Sequence, residues 1–162
     1  MENQVENQNN NPSKGTSIIE HFSNILNYLV NSYNALNTEQ DESKKNEIID
    51  KLNELREYIQ TDIEQINNML NSSLEKKEED LNNPDLSQEI KDFLVSMHDA
   101  MIDIHNLFLS IAESFIEFID TLNPEILNNI KDSINNGVIK LDEFNEINKQ
   151  LKELLEKQEF SA

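Results

Sequence analysis

Two histidines, His98 and His105, lie seven residues apart in the most regular apolar stretch of the sequence, residues 90–122. Seven residues make two helical turns, so both imidazoles fall on one helix face with their backbones about 10 Å apart. That separation is too large for the two rings to hold one metal ion without residues from another helix. The chain also lacks the Glu-x-x-His pattern of di-iron bundles. We therefore favour two buried, hydrogen-bonded, neutral histidines, with a pH-responsive core as the alternative.

The sequence contains no other pattern of catalytic residues. The chain has no Cys and its two glycines are Gly15 and Gly137, so it contains neither a thiol nucleophile nor a glycine-rich phosphate loop. Its serines occur in helical or capping contexts without the glycine-rich elbow of a serine hydrolase. Its carboxylates are expected on a hydrated helix face, which does not favour acid catalysis. We therefore expect a protein that is not an enzyme and carries no resident cofactor.

The segment DSINNGVIKLDE, residues 132–143, resembles the calcium-binding loop of EF-hand proteins. Five positions match the pattern of ligands, turn glycine and aliphatic residue in that family: Asp132, Asn136, Gly137, Ile139 and Glu143. The resemblance implies that Asp132, Asn136 and Glu143 bind calcium. Two positions depart from it, because Ile134 cannot act as a ligand and Lys140 would bring a positive charge to the ion. We favour the alternative that Gly137 ends a helix as a left-handed cap.

Acidic side chains line one face of the stretch that contains the histidines. The chain has 32 Asp and Glu against 13 Lys and Arg, a net charge of −19, and Lys91 is the only base between Asp80 and Lys131. Such a face argues against binding nucleic-acid phosphates. It favours either simple solvation or a basic protein partner. The candidate interaction surface consists of Asp92, Asp99, Asp103, Glu113, Glu117 and Asp120.

Apolar residues at alternating spacings of four and three make this stretch a central helix. Neighbouring positions are apolar as well, so the apolar arc is too wide for a two-stranded coiled coil and requires partners on at least two sides. The heptad seam comprises Ile90, Leu94, Met97, Met101, Ile104, Phe108, Ile111, Phe115, Phe118 and Leu122.

The remaining periodic segments predict an all-α, elongated antiparallel bundle of four to five helices built on a long central hairpin. Residues 1–15, rich in Asn and Gln, predict a disordered polar tail before a single bundle domain over 16–162. The predicted starts are Ser17 with a capping box, Asp41, Pro84 after an Asn83 cap, Pro124 after an Asn123 cap, and Asp142. The fourth helix is expected to end near residue 135.

The expected function is protein binding, by an adaptor, a chaperone or an immunity or inhibitor protein. The pattern also fits a homo-oligomer. The alternatives are a structural coiled-coil component, a calcium-responsive module and an amphipathic lipid-binding bundle. The start MENQVENQNNNPSKG has no basic or apolar signal region and no stretch is apolar enough to span a membrane. We expect a cytoplasmic protein or, alternatively, one that is exported without a Sec signal.

Overall fold

The computed structural model describes the backbone of residues 14–161 and the side chains of residues 17–157. Four helices make up this part of the chain: α1 (Lys14–Thr38), α2 (Glu42–Leu81), α3 (Gln88–Thr121) and α4 (Pro124–Ser161). No strand occurs among the described residues, so the prediction of an all-helical bundle is confirmed. Of the polar tail predicted for residues 1–15, residues 1–13 lie outside the described part, and Lys14 and Gly15 belong to α1.

Short polar side chains cap the beginnings of α2 and α3. Asp41 caps α2 by accepting a hydrogen bond from the Ser43 amide at 2.9 Å, and Ser87 caps α3 by accepting one from the Ile90 amide at 3.3 Å. These contacts satisfy amides that have no partner inside the helix. After α3, Leu122 adopts a left-handed conformation with φ 56°. Its amide donates to the Phe118 carbonyl, which ends the helix and allows α4 to begin two residues later.

Two predicted helix starts are wrong by a few residues. The first helix begins at Lys14 rather than at Ser17, so Ser17 is not its cap. The third begins after Ser87 rather than at Pro84. The Asn83 side chain instead accepts a hydrogen bond from the Asp85 amide at 2.9 Å, which closes a turn before the helix.

The predicted break near residues 135–142 is also wrong, because α4 is one continuous helix of 38 residues. Gly137 lies within it and does not have a positive φ, so it is not a left-handed cap. The physical reason is packing: a core-facing seam continues through this region at spacings of four and three, and it holds the helix together across the glycine. The seam residues are Ile130, Ile134, Gly137, Leu141 and Phe144.

The core is a single apolar cluster to which all four helices contribute. In the seam of α3, Phe108, Phe115 and Phe118 are at most 1% exposed. Phe22 of α1 inserts between them, with ring centroids 5.6 Å from Phe108 and 5.7 Å from Phe115 in edge-to-face geometry. Arg56 pairs with Asp120, and Asp80 with His98, so α2 and α3 run antiparallel. Among the described residues, no helix is both long and apolar enough to cross a membrane.

Candidate functional site

The three residues proposed as calcium ligands lie on one exposed face of α4 rather than in a loop. Asp132 and Glu143 are eleven residues apart in a continuous helix, which separates them by about 16 Å along the axis. Asn136 lies between them and is exposed. The loop that the EF-hand resemblance implies is therefore not formed. Within the described residues there is no group of three or more His, Asp or Glu side chains arranged to hold a metal ion.

The acidic face of α3 is partly neutralised by bases of the neighbouring helix. Lys77 of α2 pairs with Asp99 at 2.6 Å. Arg56 of α2 donates two hydrogen bonds to Asp120, at 3.0 and 3.2 Å. These hydrogen bonds, and secondly the charge of Asp120, raise the pKa of the Arg56 guanidinium. Asp92 accepts a hydrogen bond from Gln88 at 2.9 Å. The stripe that looked uncompensated in the sequence is thus compensated at two of its six carboxylates.

Apart from Asp92, three carboxylates of this face have no base in ion-pair distance among the described residues: Asp103, Glu113 and Glu117. All three are exposed. Glu113 and Glu117 border a shallow surface hollow together with the hydroxyls of Ser110 and Ser114. This hollow is polar and open to solvent, so its carboxylates can meet an approaching partner without any rearrangement of the bundle.

The two histidines of α3 have different surroundings. His98 is 7% exposed, and its Nε2 lies 2.7 Å from the Asp80 carboxylate, in a hydrogen bond that ties α3 to the end of α2. His105 is equally buried, but its Nδ1 is enclosed and has no hydrogen-bond partner. Burial lowers the pKa of the His105 imidazole, because it disfavours the charged form. The expectation of a buried, hydrogen-bonded histidine therefore holds for His98 but not for Nδ1 of His105.

A cleft of about 370 Å³ lies beside His105, and the sequence patterns did not predict it. All four helices contribute to its walls. The residue from α1 is Ile18, which lies near the beginning of that helix. With 25 residues, α1 is shorter than the other helices, which have 40, 34 and 38. The predicted helix ranges did not contain this difference in length, because they divided α4 into two short helices.

Comparisons of this chain with the profiles of known protein families, with curated proteins and with solved structures find no match.

Proposed function

We propose that the protein is a non-enzymatic helical module that binds a basic partner protein through its acidic surface, principally the outer face of α3. The observation that carries this proposal is the set of exposed carboxylates on α3, Asp103, Glu113 and Glu117, for which the described residues provide no base. A net charge of −19 adds a long-range field of the same sign. Such a field attracts a basic surface and orients it before contact.

The packing of α3 also supports this proposal, because it holds the helix in place. Its inner face is held by Phe108, Phe115 and Phe118, which are fully buried. Side chains on the opposite face are therefore presented at fixed spacing, and little backbone entropy is lost when a partner binds. This arrangement fits an adaptor, a chaperone or an inhibitor of a basic protein, since each of these acts by presenting a preformed surface.

The sharpest test compares two triple variants with the same change in net charge. The first is Asp103→Asn with Glu113→Gln and Glu117→Gln on α3. The second is Asp142→Asn with Glu143→Gln and Glu146→Gln, three exposed residues of α4. Quantitative mass spectrometry of proteins retained from cell extracts should identify a basic partner that binds the wild type and the α4 variant but is lost from the α3 variant. Equal retention by all three proteins would contradict the proposed surface, and equal loss from both variants would mean that only total charge matters.

Association kinetics with the partner so identified provide a second measurement. Exposed charges are screened beyond about 8 Å at physiological ionic strength. The association rate should therefore fall about tenfold or more between low and physiological salt, and the fall should be smaller for the α3 variant than for the α4 variant. A rate that does not change with salt would indicate hydrophobic docking instead.

A further inference from the structure

The cleft beside His105 has the size and the wall chemistry of a small-molecule site. Its volume of about 370 Å³ lies within the ~300–1,000 Å³ that is usual for ligand pockets. Apolar side chains from different helices form most of its wall, among them Ile18, Met69, Ile104 and Phe144. Methionine side chains such as Met69 adjust to the shape of a guest, because they are unbranched and flexible. An apolar molecule would therefore find a wall that can close around it.

His105 supplies the cleft with a buried polar group that the fold leaves without a partner. The residue is 7% exposed and lines the cleft, and its Nδ1 is enclosed without a hydrogen bond. Nε2 is therefore the nitrogen that can serve a molecule in the cleft. An enclosed N–H without an acceptor costs more than an enclosed lone pair, so the ring hydrogen belongs on Nε2. His105 thus offers a guest a hydrogen-bond donor beside the apolar part of the wall.

Charge and composition restrict the occupant. A net charge of −19 disfavours an anionic guest and also a second copy of this chain, which would carry the same charge, and Lys76 in the wall of the cleft disfavours a cationic guest. The residues that precede α1 in the sequence, 1–13, include only Met1, Val5 and Pro12 as apolar residues, too few to fill an apolar cleft. A neutral small molecule satisfies these limits.

We propose that this cleft binds a small, neutral, mainly apolar molecule that carries one hydrogen-bond acceptor, such as an aromatic or branched aliphatic carbonyl compound, and that the acceptor meets His105 Nε2. The apolar body lies against the side chains of Met69, Met101 and Phe144. The hydroxyls of Ser72 and Ser73, which also line the cleft, provide further polar groups for a guest.

Acetophenone and ethylbenzene test the proposal, because they share a phenyl ring with a two-carbon side chain and differ in the carbonyl acceptor. The full chain contains four methionines, Met1, Met69, Met97 and Met101. Met69 and Met101 line the cleft. In protein labelled with carbon-13 at the methionine methyl groups, titration with acetophenone should shift the Met69 and Met101 signals to saturation, with smaller changes at Met97 and Met1. Acetophenone should bind about 3- to 10-fold more tightly than ethylbenzene, as expected for one hydrogen bond.

Variants then assign the preference to one side chain. His105→Leu should bring the two probes to equal affinity, whereas Asn106→Leu, at the adjacent exposed position, should keep the preference for acetophenone. The carbonyl stretching frequency of bound acetophenone should be lowered in the wild type and not in His105→Leu. The wild-type comparison of the two probes tests the idea even if a variant fails to fold.

Three outcomes would overturn the proposal. Absence of saturable shifts at Met69 and Met101 would mean that the cleft binds neither probe. Equal affinity of the wild type for both probes would remove the role of His105. Probe binding that weakens as the protein concentration rises would make a second copy of the chain the occupant.

Discussion

Gly137 of α4 lies directly against Ile19 of α1, and a β-carbon built at position 137 would come within 3.0 Å of the Ile19 Cδ1 atom. The same β-carbon would lie 3.6 Å from Phe108 and 3.8 Å from Leu107, both on α3. The missing side chain therefore lets three helices meet at one level of the bundle. Glycine serves here for close packing, and not for a turn.

Gly137→Ala should change the free energy of unfolding by no more than about 1 kcal/mol in either direction. Alanine gains about 1 kcal/mol in helix propensity over glycine, and the close atom is the end of the flexible Ile19 side chain, which can move by the few tenths of an ångström required. Gly137→Leu should cost about 1–3 kcal/mol by overpacking. Urea unfolding measures both, with Asn136→Ala at the exposed neighbouring position as the control. A loss of more than about 2 kcal/mol in Gly137→Ala would contradict this expectation and show that the Ile19 side chain cannot move to make room.

The sequence predicted α3 well and α4 poorly for one physical reason. The apolar seam of α3 is unbroken, so its period alone places Phe108 and Phe115 in the core. In α4 the segment Asn135–Gly137 has the local preference of a helix terminator, and this preference conflicts with a seam that continues from Ile134 to Leu141. Local propensity amounts to about 1 kcal/mol per residue, whereas each buried aliphatic side chain contributes about 1.5–3 kcal/mol. Packing therefore decides the conformation.

Phe108→Ala should lower the free energy of unfolding by about 3–5 kcal/mol, since it leaves a cavity in the core. Phe108 is 1% exposed and contacts the ring of Phe22 edge to face. Asp103→Ala, on the exposed side of the same helix, should stay within about 0.5 kcal/mol of the wild type. Equal costs in urea unfolding would mean that the core-facing side of α3 has been placed incorrectly.

The hydrogen bond between Asp80 and His98 makes a separate contribution to stability. Its Nε2–Oδ2 distance is 2.7 Å and His98 is 7% exposed, so removal of the carboxylate leaves a buried imidazole nitrogen without its partner. Asp80→Ala should cost about 1–3 kcal/mol. Glu79→Ala, an exposed neighbour on α2, should cost about 0.5 kcal/mol or less in the same urea experiment. Equal effects would show that this hydrogen bond adds nothing to stability.

Periodicity along one helix cannot show which charges of that helix are neutralised. The pattern of α3 correctly identified a row of carboxylates, but the bases that pair with Asp99 and Asp120 are Lys77 and Arg56, on α2. Those pairings depend on how the two helices are aligned, which the composition of α3 does not contain. The partner of His98 was missed for the same reason, because Asp80 also lies on α2.

The buried imidazole of His105 should make stability depend on pH in a defined direction. Burial lowers its pKa in the folded state below the ordinary value of 6.5. Below pH 6.5 the unfolded chain therefore binds more protons at this residue than the folded chain does, and the contribution of His105 to stability falls as the pH falls. As the pH is lowered from 7.5 to 5.5, the free energy of unfolding of His105→Leu should consequently rise relative to that of the wild type. Urea unfolding at several pH values measures this difference, with Asn106→Leu as the control that should show no such trend. A difference that stays constant with pH would contradict the expected pKa change.

Calcium should not stabilise the protein more than magnesium does. In α4 the Asp132 and Glu143 carboxylates are separated by about 16 Å along the helix axis, so they cannot coordinate one ion together. A ligand that binds only the folded state raises stability by RT ln(1 + [L]/Kd), which would appear as a higher melting temperature. At millimolar concentration both divalent cations should produce the same shift by screening a chain of charge −19. Glu143→Gln should show the same shift as Glu146→Gln, since both remove one exposed charge from α4. A shift specific to calcium that is lost in Glu143→Gln and kept in Glu146→Gln would show that residues 132–143 leave the helix and form the EF-hand loop when the ion binds.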